Sequence, residues 1–392
     1  MESSNSSAPA PTLPTNPRLL GVGDAVPWFS APTSFNPAFS FDTMGGRHVV
    51  LTFVGSSLHP IASEIIAGIL ARRALFDDAN IAFFGVTADP DDVAEGRIPD
   101  MIPGIRWFHD IDGSLARRFG ALYASPSGVG RIAVHTLVLD PTLRVLARVI
   151  GSSGSDHNDV LFSALDRLPK MADPGWSPGP APVLVAPRIF DRELCRRLID
   201  LYESEGGSES GFMTSRGGKS VGTYDPNRKR RKDHVIQDEG LRAELRACIT
   251  TRLVPLIERG LAFNATRIER YIVACYEGDR GGFFGAHRDN TTPATRHRKF
   301  AVTINLNAED YDGGDLRFPE FGPQTYRAPT GGAVVFSCSL MHEARPVTRG
   351  LRYAFLPFLY DHAAAELRRE TVGLIVDSRP PEPDADLPAA AG

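Results

Sequence analysis

Two histidines and one carboxylate in the second half of the sequence have the types and spacing of a metal site. His287 and Asp289 are separated by a single residue, and His342 follows on a later β-rich segment. Two imidazoles and one carboxylate suit Fe(II), which they bind on one face while the opposite positions stay open for reactants. These three residues are the predicted metal ligands and catalytic centre. A His-x-Asp tripeptide alone is common by chance, so its weight depends on its surroundings.

The segments that carry these residues are predicted to be short strands between Gly, Pro and Asn turns. The strands are expected at 271–276, 300–306, 314–318, 332–338 and 352–359. This pattern favours an antiparallel jelly roll, or double-stranded β-helix. Two helices precede the strands: Asp191 can cap the first, and the second covers about 238–260, where Pro255 is expected to kink or end it. A mainly-β C-terminal domain with flanking helices is predicted.

The surroundings of the three residues resemble one enzyme family. The matching segments are 275–290, 306–307, 313–319 and 342–352. They resemble the prolyl 4-hydroxylase group of Fe(II)/2-oxoglutarate dioxygenases, and most closely the oxygen-sensing prolyl hydroxylases. The resemblance covers about 182–361, with the motifs in the family's order. It implies oxidative decarboxylation of 2-oxoglutarate to succinate, coupled to hydroxylation of an unactivated C–H bond.

The resemblance also implies a cosubstrate site. 2-Oxoglutarate would take two metal positions and O2 or water the third, with L-ascorbate expected as reductant. Arg352 would bind the far carboxylate through its planar fork. Tyr276, Thr303 and Asn305 are candidates to complete the pocket, because period two places Thr303 and Asn305 on one strand face. Asp289 argues against the halogenase variant of the family, in which this carboxylate is replaced.

The first half alternates strands with helices, which favours a βαβ-type sheet. Strands are predicted at 48–53, 81–86 and 135–139, with a helix at 61–76. Residues 23–27, 85–89 and 136–140 resemble those of a peroxiredoxin of the thioredoxin fold. Such an enzyme places a nucleophilic cysteine in the first turn of the helix after its first core strand. Here the corresponding residues are 61–63, and this half contains no cysteine.

The rest of that peroxidatic site is missing as well. The arginine that the resembled family places before the last core strand would fall at about Val134. His59, beside the empty cysteine position, is predicted to be an ordinary solvated loop histidine. Peroxidase chemistry is therefore nearly excluded for this half.

Composition and net charge limit the class of protein and its partners. A chain of 392 residues with 42% apolar and 23% charged content is typical of an ordinary globular protein of about two or three domains. The net charge of −4 implies no global attraction to nucleic acid or membranes, and no apolar run approaches a membrane span. Four unpaired cysteines suit a reducing cytoplasm.

Proline- and glycine-rich stretches mark the predicted boundaries. The expected organisation is a disordered leader (1–18), a thioredoxin-like α/β domain (19–170), a linker (171–182), a dioxygenase domain (183–363) and a C-terminal segment ending in a disordered tail (364–392).

The basic run 228–232 is predicted to be a solvated loop, with nucleic-acid contact disfavoured and a substrate-facing loop for an acidic target left open. His234, His297 and His362 are predicted to be surface residues.

These residues leave three functions open. The leading one is a prolyl 4-hydroxylase-like dioxygenase; the alternatives are an inactive binding or scaffold protein and, less favoured, a peroxidase. The substrate stays open among a peptide, a protein, a nucleobase and a small molecule, because substrate contacts lie on variable loops. The first domain would present substrate, mediate homodimerisation or stabilise the fold.

Overall fold

The computed structural model describes residues 13–171, 179–376 and 385–386. The chain divides into two compact units, Met1–Pro174 and Gly175–Gly392, so the division falls within the predicted linker. Parts of the predicted leader (1–12), linker (172–178) and tail (377–384 and 387–392) lie outside the described residues. Within the described ranges, no helix is both long enough and apolar enough to cross a membrane.

The first unit consists of short strands and helices in alternation. Its elements are β1 (Ser30–Ala31), β2 (Phe39–Ser40), β3 (His48–Gly55), α1 (Pro60–Ala71), β4 (Ile81–Thr87), α2 (Pro90–Ala94), β5 (Ile105–His109), α3 (Ser114–Arg118), β6 (Leu122–Ala124), β7 (Gly130–Ile132), β8 (His135–Leu139), β9 (Val145–Val149) and α4 (Gly154–Leu165). The predicted strands at 48–53, 81–86 and 135–139 and the helix beginning near 61 are confirmed, each within a few residues.

The central sheet of this unit has the order β5-β4-β3-β8-β9. Strands β3, β4 and β5 are parallel, whereas β8 and β9 are antiparallel to their neighbours. Alternate residues of β3 enter different clusters: Val49 and Leu51 pack on one face of the sheet, and Val50 and Val54 on the other. A strand covered on both faces is a nearly continuous apolar run, as β3 is apart from His48 and Thr52. The predicted βαβ-type sheet is confirmed.

The second unit has more strands and fewer helices. Its elements are β10 (Leu184–Ala186), α5 (Arg192–Glu205), β11 (Ser208–Glu209), β12 (Phe212–Arg216), β13 (Lys219–Thr223), β14 (Lys229–Arg230), β15 (Lys232–Val235), α6 (Glu239–Cys248), α7 (Val254–Leu261), β16 (Arg267–Glu269), β17 (Ile272–Glu277), β18 (Phe283–His287), β19 (Phe300–Asn305), β20 (Asp312–Gly313), β21 (Leu316–Arg317), β22 (Thr325–Tyr326), β23 (Ala333–Ser337), β24 (His342–Ala344), β25 (Val347–Arg349), β26 (Leu351–Phe355), β27 (Phe358–Tyr360), α8 (His362–Thr371), β28 (Ile375–Val376) and β29 (Ala385–Asp386).

Two antiparallel sheets dominate the second unit. The larger has the order β11-β15-β17-β26-β19-β27-β16-β29, with β23 and β10 attached through β19, and the smaller has the order β14-β18-β24-β21-β22. Helices α5, α6 and α7 bury their apolar sides against the larger sheet. The Asp191 side chain accepts from the Leu194 amide and caps α5 as predicted. Pro255 follows a π-helical segment, Ile249–Leu253, where the predicted irregularity of the second helix lies.

The pleat of the larger sheet decides which side chains reach the space between the sheets. In β17, Val273 and Cys275 pack toward the helices, whereas Tyr276 packs in the cluster shared with the smaller sheet. Tyr276 is paired in register with Arg352 on β26. Successive strand residues point to opposite faces, so this register places the tyrosine and the arginine side by side between the sheets.

Candidate metal centre and its cavity

Strand register brings the predicted ligands together. His287 is the last residue of β18 and pairs directly with His342, the first residue of β24. Asp289 follows in the turn after β18, where its amide donates to the Cys338 carbonyl at 3.0 Å. Asp289 and His342 are 53 positions apart in sequence. They meet because the end of β18 lies beside the start of β24.

The three side chains converge on a single point. The Asp289 carboxylate lies 3.5 Å from His287 Nε2 and 3.3 Å from His342 Nε2. One ligand atom from each residue lies within 4.8 Å of the other two. This is the donor set of two nitrogens and one oxygen that was predicted from the sequence.

The hydrogen bonds of the imidazoles test whether a cation fits here. His287 Nδ1 lies 2.8 Å from the Gly285 carbonyl and His342 Nδ1 lies 3.0 Å from the Leu340 carbonyl. A carbonyl only accepts, so each Nδ1 carries a proton. In the neutral tautomer with that proton, the Nε2 lone pair faces Asp289. Lone pairs facing a carboxylate repel unless a cation lies between them. The donor set therefore fits a divalent metal.

Burial and charge hold the ligands in the protonation states that a metal needs. Burial lowers the pKa of His342 to about 4, against the opposing effect of Asp289. Burial alone would raise the pKa of Asp289, but the two histidines and Arg298 hold it below its usual value. Near neutral pH the site thus offers a neutral His342 and an ionised carboxylate.

An ion pair fixes the segments that carry the ligands. Arg288, between the first two ligands, binds Glu320 with both guanidinium amines at 3.2 and 2.8 Å and also donates to the Ser339 carbonyl. Glu320 in turn accepts from the Met341 amide, beside His342. Arg288 therefore ties both halves of the candidate centre to one carboxylate, a role that the sequence did not indicate.

The candidate ligands line a cavity of about 630 Å³ that also contains Arg352 and Tyr276. Arg352 is only 2% exposed, and its Nε and Nη1 have no hydrogen-bond partner. Its guanidinium lies 4.8 Å from the centroid of the Tyr276 ring. A buried guanidinium with unused donors is what a carboxylate would satisfy, so the cavity fits 2-oxoglutarate as well as a metal.

Thr303 and Asn305 separate in the folded chain. Both are buried, but Thr303 lines the cavity and Asn305 does not. Asn305 Nδ2 instead donates to the Ala328 carbonyl at 2.7 Å. The two-residue period of a strand placed the two side chains on one face. It could not show that the Asn305 side chain is bound to the Ala328 carbonyl.

Gly314 leaves room for the side chain of Arg352. Gly314 has a φ of +70°, and a Cβ added to it would lie 2.8 Å from Val347 Cγ2 and 3.0 Å from Arg352 Cδ. Any larger residue would meet both strain and the arginine stem. These contacts give a physical reason for glycine at position 314, which lies in the segment 313–319 that resembles the dioxygenase family.

The prediction of a solvated basic loop at 228–232 is wrong for two of its five residues. Lys229 and Arg231 are each 7% exposed, whereas Arg228 and Arg230 are exposed. Arg231 makes two 2.7 Å bonds to Asp233 and donates to the Tyr276 hydroxyl at 3.3 Å. Lys229 and Arg230 form β14, Lys232 begins β15, and buried Lys229 and Arg231 line the cavity together with exposed Arg228.

Of the three histidines predicted to lie at the surface, His234, His297 and His362, one is buried. His297 is 1% exposed, and its Nε2 lies 2.7 Å from Glu269 Oε2. Glu269 also binds Arg298 at 2.6 Å, so burial of the histidine is offset by a paired network. His362 is exposed as predicted, and His234 is half-buried.

In the first unit, polar contacts hold the loop that leads into α1, whose first turn contains residues 61–63. The Ser57 amide donates to buried Asp92 at 2.8 Å, and its hydroxyl binds the same carboxylate. His59 is exposed, as predicted.

Nearby elements bury two other histidines, His135 and His157, both 0% exposed. The ring nitrogens of His157 and the Nε2 of His135 lack hydrogen-bond partners.

These buried histidines predict that the first unit loses stability in acid. Burial lowers the pKa of each from 6.5 to about 4, so the unfolded chain binds more protons between those values. Stability then falls as the pH drops from 6.5 toward 4, by up to roughly 3 kcal/mol per histidine. Urea unfolding of the full chain, followed at several pH values, measures this slope.

The matched variants are His157→Leu and His59→Ala. The first should flatten the pH dependence of the unfolding free energy, because it removes one buried group that must be neutral. The second should leave the slope unchanged, because His59 is exposed. An unchanged slope in His157→Leu would contradict the assignment.

Comparison with known proteins finds relatives of the part of the chain that carries the candidate site. The model of the 2OG-Fe(II) oxygenase superfamily matches residues 271–360, the stretch that contains the three ligands and Arg352. A PKHD-type hydroxylase from Synechococcus sp. (strain JA-2-3B'a(2-13)) is 37% identical over 112 residues, or 26% of this chain and 49% of the relative. PKHD-type hydroxylase PiuC of Pseudomonas aeruginosa is 30% identical over 182 residues, 44% of this chain and 75% of the relative.

The chain belongs to the PKHD-type hydroxylase family. The predicted resemblance of its second half to 2-oxoglutarate dioxygenases is confirmed. The matched part spans about half the length of the Synechococcus relative.

Two solved structures each resemble part of the chain. A prolyl hydroxylase from Trichoplax adhaerens, in complex with a hypoxia inducible factor peptide fragment, covers 48% of this chain and 86% of its own, with a TM-score of 0.38 and 19% identity. Peroxidoxin BcpB from Mycobacterium tuberculosis covers 38% of this chain and 98% of its own, with a TM-score of 0.33 and 21% identity.

Proposed function

We propose that the second unit is an Fe(II)- and 2-oxoglutarate-dependent dioxygenase, a prolyl 4-hydroxylase-like hydroxylase. One observation carries the proposal: His287, Asp289 and His342 converge in the same cavity as the unpaired, buried guanidinium of Arg352. The metal set alone suits many reactions, but a fixed cation in the same cavity selects a cosubstrate with a carboxylate. Membership of the hydroxylase family supports the same reading.

Each residue has a defined task in this proposal. His287, Asp289 and His342 would hold Fe(II), which when bound supplies the activation of O2. Arg352 would anchor the far carboxylate of 2-oxoglutarate, and the Tyr276 ring beneath it would fix its plane. Apolar side chains of Phe336, Leu316 and Ala344 line the cavity and would exclude water from the reacting carbon.

Finer features belong to the same proposal. The two antiparallel sheets correspond to a double-stranded β-helix, with dioxygenase residues 183–363 preceded by a thioredoxin-like domain at 19–170. Thr303 contributes to the cosubstrate pocket, and ascorbate serves as reductant. The first unit has a substrate-presenting, dimerising or stabilising role.

Succinate formation tests the proposed function directly. The purified full chain, supplied with Fe(II), O2 and 2-oxoglutarate, should form succinate and CO2 in equal amounts. Chelation of the metal should abolish the reaction, and added Fe(II) should restore it. Succinate that forms equally well without Fe(II), or none under any condition, would favour the inactive scaffold. Cysteine-independent peroxide consumption would instead assign activity to the first unit.

A further inference from the structure

Most of the cationic side chains that line the cavity already have anionic partners. The pairs are Arg231 and Arg270 with Asp233, Arg288 with Glu320, and Arg298 with Glu269. Arg352 is assigned to the cosubstrate. Two cations remain, Arg228 and Lys229, and no carboxylate among the described residues forms an ion pair with either. The cavity thus holds more positive charge than the metal ligands and cosubstrate explain.

Lys229 is held in place by neutral groups. Its ammonium donates to Ser210 Oγ at 2.8 Å and to the Gly211 carbonyl at 2.6 Å. An ammonium has three donors, so one is left for a ligand. The side chain is 7% exposed and lines the cavity. Burial, together with neighbouring Arg231, holds the pKa of Lys229 well below its usual value, and an anion bound beside it would oppose that shift by favouring the charged form.

Aromatic rings connect these cations to the metal centre. The Lys229 ammonium lies 4.8 Å from the centroid of the Phe284 ring, and Phe284 stacks on His287 at 3.5 Å. Arg228 lies 5.2 Å from the Phe212 ring, which packs against Phe284 at 6.1 Å. We call Arg228, Lys229, Phe212 and Phe284 the cationic wall. All four side chains line the cavity.

We infer that the cationic wall binds a carboxylate of the molecule that is hydroxylated, so that the substrate of this enzyme is acidic. The inference rests on the proposed function and adds a substrate class to it. Lys229 provides a desolvated donor, where a charge-assisted bond is strong. Arg228 adds an exposed cation that attracts the anion to the mouth of the cavity.

The distances restrict what kind of acid this is. Lys229 is two ring contacts from the metal ligand His287, through Phe284. The bound carboxylate and the carbon to be hydroxylated therefore belong to one small molecule or to neighbouring residues of one peptide. The ring faces of Phe212 and Phe284 would pack against the apolar atoms between them. Both sources share the same chemistry, a carboxylate next to the reacting group.

Binding of paired probes tests this inference. One pair is a fluorescent peptide with a proline flanked by aspartates and its asparagine counterpart; the other is N-acetylaspartate and N-acetylasparagine. Affinities are measured on the full chain with saturating 2-oxoglutarate, with Mn(II) replacing Fe(II) to prevent turnover. At least one acidic probe should bind about tenfold more tightly than its amide partner. The pair that shows the larger ratio identifies a peptide or a small acid as the source.

Three variants assign the preference to residues. Lys229→Met keeps the length of the side chain over Phe284, and Arg228→Gln changes an exposed residue that should not affect folding. Both should bring the acid-to-amide ratio close to one. Arg230→Gln is the control, because Arg230 lies in the same run but outside the cavity lining and should keep the ratio.

Two outcomes would overturn the inference. The first is equal or absent binding of the acidic and amide probes by the wild-type chain. The second is an unchanged preference in folded Lys229→Met and Arg228→Gln. The succinate assay keeps the two claims apart. A chain that prefers acids but forms no succinate contradicts the proposed function only, and one that forms succinate without preferring acids contradicts the acidic substrate only.

Discussion

Replacement of His287 by alanine is expected to abolish Fe(II)-dependent succinate formation. Loss of an outer-shell partner of a metal ligand lowers affinity or activity about 10- to 100-fold, so loss of the ligand itself should exceed about a hundredfold. The remaining pair, Asp289 and His342, would hold the metal from one side only. The measurements are Mn(II) or Fe(II) affinity, by titration, and succinate formation at saturating 2-oxoglutarate.

His362→Ala is the matched control, because His362 is exposed in the same unit and lies outside the cavity lining. It should leave metal affinity and turnover unchanged. Because the ligands act as one unit, the double variant His287→Ala/His342→Ala should lose little more than either single variant. A folded His287→Ala protein that keeps wild-type metal affinity would refute the ligand assignment.

The sequence predicted that His287, Asp289 and His342 lie together, and the structure places them so. His287 and Asp289 are adjacent to one strand end, and His342 begins a strand that any two-layer β-fold can place beside it. Their pairing in register, seen as His287 opposite His342, then needs only the correct order of strands. Arg352 and Tyr276 were predicted from the resemblance to the dioxygenase family, and the register of β17 with β26 places them side by side.

The basic run shows where sequence reasoning reached its limit. Alternation of buried and exposed residues is visible when apolar and polar types alternate, but every residue from 228 to 232 is cationic. Lys229 and Arg231 are buried because they donate to Ser210 and Tyr276, which are distant in sequence, and Arg231 also donates to nearby Asp233. His297 is buried for a similar reason, its contact with Glu269. Such pairing depends on tertiary packing that no local pattern encodes.

Replacement of Arg352 by methionine is expected to raise the KM for 2-oxoglutarate about a hundredfold or more, because two charge-assisted hydrogen bonds to the carboxylate are lost. Arg352→Lys keeps the charge but not the planar fork and should fall between Arg352→Met and the wild type. Arg349→Met is the control: Arg349 is exposed, pairs with Asp312 at 2.6 Å and does not line the cavity. Its KM should equal that of the wild type.

Thermal unfolding gives the same test without catalysis. In the ligand-free wild type, Arg352 is a buried cation with unused donors, which costs stability. Arg352→Met should therefore unfold at an equal or higher temperature in the absence of ligand. Addition of 2-oxoglutarate and Mn(II) should stabilise the wild type by about 2.7 kcal/mol at a hundred times Kd, whereas the variant should gain stability from the metal alone. A variant that is destabilised without ligand and still responds fully to 2-oxoglutarate would show that Arg352 supports the fold and that another group binds the cosubstrate.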